Sequence, residues 1–162
     1  MSETLGRREL LGSAGLLAIA GLLPRAGLAA APDKLVHSDA EWRKLLTPQQ
    51  FDVLRRAGTE RAGSSPLDHV YKRGTYLCAG CALPLFSSRT KFDSGTGWPS
   101  FYAPLPRAVV LHEDRSLFMT RTALNCRRCD GHLGHVFDDG PAPTGLRHCI
   151  NGVVLTFKPA TA

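Results

Sequence analysis

The five cysteines of this sequence carry most of the chemistry it can offer, and their spacing divides them into four and one. Cys78-Ala79-Gly80-Cys81 and Cys126-Arg127-Arg128-Cys129 are two Cys-x-x-Cys knuckles with 44 residues between them. A two-residue spacer lets the chain turn back so that both sulfurs face one ion, and four thiolates suit a single tetrahedral zinc. The competing uses of such pairs are disulfides or a redox dithiol, the latter at the start of a helix in a βαβ unit. Here both knuckles lie beside predicted strands and no βαβ pattern is present. Haem attachment is excluded because Ala82 and Asp130, not His, follow the knuckles. The expectation is one structural Zn2+ held by Cys78, Cys81, Cys126 and Cys129.

Cys149 remains, with Arg147 and His148 just before it. Cationic neighbours favour thiolate over thiol, which makes Cys149 a nucleophile candidate. A lone cysteine is otherwise a small buried hydrophobe, so the candidate depends on its company. His132 and His135 sit three apart in Gly131-His132-Leu133-Gly134-His135-Val136-Phe137-Asp138-Asp139-Gly140-Pro141. Imidazole moves protons near neutrality, although the same pair would serve as polar surface or as ligands of a second metal. Trp98 lies between Gly97 and Pro99, a rigid turn where a pocket wall fits, whereas Trp42 reads as core packing. Arg147 reads equally well as a counter-ion to Asp138 or Asp139.

These residues need a scaffold, and 162 residues with 43% hydrophobic and 21% charged character bound it to one domain with a real core. Sixteen Gly and eleven Pro favour short strands and loops over a helical bundle. Ser38 with Glu41, and Thr47 with Pro48 and Gln50, are two capping-box starts. The second predicts a helix over 48–57 with Phe51 and Leu54 inward and Gly58 closing it. Strands are predicted at 75–78, 83–86, 108–112, 117–123, 134–137 and 153–157, with a hairpin turn at 113–116 and an ordered loop at 138–145. The fold class is mainly β with some α. A net charge of +6 permits nucleic acid contact without demanding it.

Residues 1–30 read as an export signal rather than part of the fold. Arg7-Arg8 precede an uncharged run over 10–23, and Gly27-Leu28-Ala29 offers small residues for cleavage near Ala29-Ala30. The paired arginines and the modest hydrophobicity resemble a twin-arginine signal. Fourteen apolar residues fall short of the roughly 20 that span a bilayer, so no stable membrane anchor is expected after cleavage. Residues 31–45 then form a linker and first short helix, and 46–160 form the catalytic domain.

Four motifs in order, Lys91-Phe92-Asp93-Ser94-Gly95, Gly97-Trp98-Pro99-Ser100-Phe101-Tyr102, the His132/His135 segment and Arg147-His148-Cys149-Ile150-Asn151, resemble the methionine-R-sulfoxide reductases, the MsrB family, from about residue 46 to 157. The resemblance implies two small antiparallel β-sheets with short N-terminal helices, stapled by the four-cysteine zinc site. It implies that Cys149 attacks the sulfoxide sulfur and becomes a sulfenic acid. His132 and His135 then protonate or hydrogen-bond the oxygen, Trp98 and Phe101 bind the S-methyl end, and Asn151 and Arg147 fix the polar side. Partners implied are oxidised proteins carrying methionine-R-sulfoxide and a thioredoxin-like or other thiol reductant, with no nucleic acid and a monomeric chain. Many family members carry a second cysteine where this chain has Thr96, so the sequence predicts a one-cysteine cycle. His148 stands where the family more often has Tyr.

The rival readings are a zinc-knuckle module for nucleic acid, motivated by Arg127-Arg128, and a Cys-x-x-Cys disulfide oxidoreductase. The first leaves Cys149, His132 and His135 without a role. The second needs dithiols that a bound zinc would occupy. With export, the expected location is the periplasm, where a lone thiol has no cytosolic glutathione pool to protect it.

Overall fold

The structure, a computed structural model, describes residues 34–116 and 119–161. The expected export segment lies outside the described residues, as do Leu117 and Phe118.

Two short helices open the described chain. Helix α1 (Asp39–Leu45) is capped by Ser38, and α2 (Pro48–Arg56) by Thr47 with Pro48 in the first turn. Both capping boxes are complete: Glu41 reaches back to the Ser38 amide at 2.7 Å and Gln50 to the Thr47 amide at 3.1 Å. Each cap satisfies orphan N–H groups and contributes about 1 kcal/mol. Phe51 and Leu54 face inward as expected, together with Val53. The left-handed residue at the end of α2 is Ala57 (φ 55°), not Gly58, whose N–H bonds the Asp52 carbonyl at 3.1 Å.

Nine strands follow: β1 (Gly74–Cys78), β2 (Pro84–Ser87), β3 (Lys91–Phe92), β4 (Ser100–Phe101), β5 (Val109–Asp114), β6 (Arg121–Cys126), β7 (His132–Phe137), β8 (Arg147–Ile150) and β9 (Leu155–Pro159). They make a three-stranded sheet in the order β2-β1-β9 and a six-stranded sheet in the order β3-β4-β8-β7-β6-β5, antiparallel throughout. The fold is thus mainly β, in two antiparallel sheets with two helices. No helix among the described residues is long and apolar enough to cross a membrane.

Three strands escaped the sequence reading. Strands β3 and β4 have two residues each, too few to show a period of two. Strand β8 is buried on both faces between β4 and β7, so Arg147-His148-Cys149-Ile150 shows no apolar alternation. Strand β6 was expected over 117–123 and runs Arg121–Cys126 instead, because its pairing with β5 begins only at Asp114 opposite Arg121. The turn expected at 113–116 is therefore a longer connection that starts after Asp114.

The core holds Tyr76, Leu85, Phe86, Phe101, Leu124, Leu133, Ile150 and Val154, all fully buried, and continues under the helices through Trp42 and Leu54. Trp42 has the packing role expected of it, meeting the His37 ring edge-on at 4.8 Å and the Arg55 guanidinium at 5.1 Å.

Candidate active site and metal centre

The two knuckles close on one point. Cys78 ends β1, Cys126 ends β6, and the Sγ atoms of all four cysteines lie within 4.8 Å of one another. Cys78 and Cys129 are 3.7 Å apart and Cys81 and Cys126 3.5 Å apart. Sulfurs bound at about 2.3 Å around a tetrahedral zinc stand about 3.8 Å from each other, whereas a disulfide requires about 2.0 Å. The donor set therefore fits one zinc. The four sulfurs act on one another: hydrogen bonding to Cys126 and Cys129 pushes Cys78 up, while Cys129 and Cys78 pull Cys126 down. Arg55 and Arg128 donate to the Cys129 and Cys81 carbonyls at 2.9 and 3.2 Å, and Leu54 packs close over Gly80 and Gly131. Helix α2 thus forms a lid over the knuckles.

On the six-stranded sheet, Cys149 of β8 stands directly opposite His135 of β7 and Ser100 of β4. Arg147 and Cys149 are two residues apart and share a face; His148 points the other way, into the core, where its Nδ1–H donates to the Phe101 carbonyl at 3.0 Å. Cys149 opens into a cavity of about 130 Å³ walled by Trp98 and Phe137, with His135, Asn151, Arg121 and Thr59 around it and Gly134 at its floor. Gly134 is required by close approach, since a Cβ there would lie 2.0 Å from the Cys149 carbonyl oxygen.

His135 is held by a charged partner. Its Nε2 meets Asp114 Oδ2 at 2.7 Å, and the same oxygen accepts from Arg121 at 2.7 Å. Hydrogen bonds from Ser116, then from His135, with the Arg121 charge beside them, keep the Asp114 carboxyl well below the usual carboxylate range. Asp114 therefore accepts the Nε2 proton of His135.

His132 occupies a different place from the one expected. It does not line the Cys149 cavity; its ring meets that of His135 edge to face at 5.2 Å, and it lines an adjoining cavity of about 540 Å³ that shares Thr59, Arg121 and His135 with the first. It is 6% exposed, and its Nε2 has no hydrogen-bond partner among the described residues. Burial, then the neighbouring His135, lowers its pKa to about 4.

Asn151 and Trp98 are fixed by the chain segment that follows α2. The Asn151 amide accepts from the Glu60 N–H at 2.9 Å and donates to the Leu133 carbonyl at 3.0 Å. Trp98 donates its indole N–H to the Glu60 carbonyl at 3.2 Å. Its turn depends on Gly97 at φ 84°, where Gly63 donates to the Gly97 carbonyl at 2.7 Å and a Cβ would strike that amide.

Arg147 makes a two-pronged ion pair with Asp139, both contacts 2.8 Å, and lies over the Phe137 ring at 4.4 Å. It is a counter-ion, as one sequence reading had it, and it also acts on Cys149. The balance at Cys149 differs from expectation: burial pushes the thiol up, and it outweighs the opposite pull of Arg147 and of hydrogen bonds from Thr96 and Ser100. The Thr96 and Ser100 hydroxyls are joined through Ser94, each link 2.8 Å. Phe101, expected at the methyl end, is completely buried, stacked on Phe86 at 4.4 Å and edge-on to Tyr76 at 5.0 Å. It belongs to the core.

Asp114, Arg121, Thr59 and Glu60 were not legible as site residues. Asp114 and Arg121 become partners only once the β5–β6 register is known. Glu60 follows a helix end with no periodic neighbour to mark it.

Comparison with known proteins agrees with this geometry. Residues 46–159 match the SelR domain. A peptide methionine sulfoxide reductase MsrB of Agrobacterium fabrum is 53% identical over 78% of this chain and 94% of its own length. Proteins of the same name from Methanosarcina barkeri and Pseudomonas syringae are 57% and 54% identical, over 75% and 78% of this chain and 86% and 98% of their own.

Proposed function

The chain belongs to the SelR-domain family of peptide methionine sulfoxide reductases, and on that premise we propose that it reduces the R epimer of methionine sulfoxide in proteins, with Cys149 as nucleophile. The observation that carries the reading is the placement of Cys149 opposite His135 in a small cavity walled by Trp98 and Phe137. A sulfoxide needs a soft nucleophile at sulfur, a proton at oxygen and an apolar seat for its methyl group. Cys149, His135 and the two aromatic walls supply them in that order.

Cys149 gives up its proton as it attacks, and the sulfoxide sulfur gains two electrons while the Cys149 sulfur loses them. The oxygen passes to Cys149, His135 manages the proton, and the products are methionine and a sulfenic acid. Asn151 and Arg121 border the polar side; Arg147 and the Thr96 and Ser100 hydroxyls stabilise the anionic sulfur. His132, buried and with its pKa lowered, packs its ring against His135, which faces Cys149 across the sheet.

Thr96 supports a one-cysteine cycle. A first external thiol condenses with the sulfenic acid, releasing water and leaving a mixed disulfide, and a second thiol releases Cys149. The structural zinc, when bound, ties the ends of β1 and β6 together and takes no part in the reaction. The paired Arg7-Arg8 and the short apolar run support export, after which the monomeric chain repairs oxidised proteins in the periplasm.

A single turnover without reductant tests the activity. Zinc-loaded protein given each epimer should release about one methionine per chain from the R epimer only, lose one thiol without forming a disulfide, and do neither as Cys149→Ser. No methionine from either epimer would refute the activity, and a disulfide between Cys149 and a knuckle cysteine would refute the one-cysteine cycle.

A further inference from the structure

We propose that Glu60 is the positioning residue of this active site, setting Trp98 and Asn151 against Cys149 through one buried set of hydrogen bonds. The inference rests on the sulfoxide reductase reading and assigns a role to a residue outside its motifs.

Glu60 is 4% exposed, and every polar group it has is directed at the site's supports. Its N–H holds the Asn151 amide oxygen at 2.9 Å and its carbonyl holds the Trp98 indole N–H at 3.2 Å. Its carboxylate accepts from the Gly152 N–H and, at 2.9 Å, from the Val153 N–H, the two amides that follow Asn151. One residue thus joins the aromatic wall, the amide beside Cys149 and the turn that carries that amide. Gln50 grips the same turn from α2, donating to the Val153 carbonyl at 3.2 Å, and Ser65 packs against Gly152.

The carboxylate is specified by chemistry. Both backbone groups that face it are donors, so both side-chain oxygens must accept. An amide of the same shape would turn an N–H group toward one of those donors and leave it buried and unpaired. Burial raises the Glu60 carboxyl pKa while the Gly152 and Val153 donors oppose the rise, so the anion is held by backbone dipoles rather than by a cation. The other acid in its surroundings is Asp68.

The test is Glu60→Gln in the zinc-loaded chain. It should fold and keep its metal, yet lose about 10- to 100-fold in kcat/KM for a sulfoxide peptide, with KM raised as well as kcat lowered, since groups that touch substrate have moved. The part of the fluorescence that Trp98→Phe removes should shift to the red in Glu60→Gln without substrate. In a background lacking both supports, Asn151→Ala with Trp98→Phe, the same substitution should cost less than about 3-fold, because its effect passes through those two side chains. Should Glu60→Gln not fold, Glu60→Asp decides: it keeps the carboxylate but withdraws it by one methylene from the Gly152 and Val153 amides, and should raise KM and shift the Trp98 emission to the red. Unchanged kinetics and emission in folded Glu60→Gln, an equal cost in the background lacking both supports, or unchanged KM and emission in Glu60→Asp would overturn the proposal. Inactive wild-type protein would refute the assigned activity instead, and the emission shift would still report on the positioning.

Discussion

Replacing His132 by Gln should flatten part of the pH dependence of stability. Burial lowers the His132 pKa from 6.5 to about 4, so between those values the unfolded chain binds a proton that the folded chain refuses. Stability from keeping His132 neutral is complete above pH 6.5 and is lost as pH falls toward 4. Each pKa unit is worth about 1.4 kcal/mol, so the loss totals roughly 3 kcal/mol. His148 is also lowered by burial and acts with the same sign, and zinc release on acidification adds a further loss. Both are common to the wild type and the variant and cancel in the difference. The assay is urea unfolding at intervals from pH 4 to 7.5 with zinc present. The wild type should lose about 3 kcal/mol relative to His132→Gln on going from pH 7 to pH 4. Parallel curves would refute the reasoning and return His132 to the set of groups protonated near neutrality.

Three further outcomes are expected. Phe101→Leu should cost about 1–3 kcal/mol of stability, read by denaturant unfolding, and leave KM within about 2-fold, because the ring packs on Phe86 and Tyr76 rather than on substrate. The alkylation rate of Cys149 should keep rising with pH beyond the ordinary thiol range, and Arg147→Leu should move its midpoint further up by removing a cation that favours the thiolate. Stripping the metal with a chelator should melt the tertiary structure, seen by near-ultraviolet circular dichroism, and about one zinc per chain should restore it.

Much of this molecule could be read in advance where local rules govern. The two capping boxes, the inward Phe51 and Leu54 and the buried Trp42 follow from spacing of one helical turn. The knuckles are equally local, and the structure brings all four sulfurs together. What resisted reading depends on register between distant segments. Asp114 meets Arg121 and His135 only through the β5–β6–β7 pairing, and Phe101, in a strand of two residues, packs into the core on Phe86 and Tyr76. Two histidines three apart look equivalent in sequence, yet only His135 of the two lines the cysteine's cavity, while both line the cavity adjoining it.

The three-stranded sheet also governs when this chain can mature during synthesis. Its central strand β1 pairs with β9, Gly74 opposite Pro159 and Cys78 opposite Leu155, so the strand that ends in the first zinc ligand waits for the last strand to be made. Such pairing gives a high contact order, in which the entropy of closing a long loop is lost before the pairing repays it. Until β9 has emerged from the ribosome, β1 has no partner on one edge and the metal centre has no finished sheet behind it. The nascent chain therefore carries an open sheet edge beside the first zinc ligand until β9 is made. Completion of this sheet awaits β9, whose docking and the capture of zinc act on the same strand, β1.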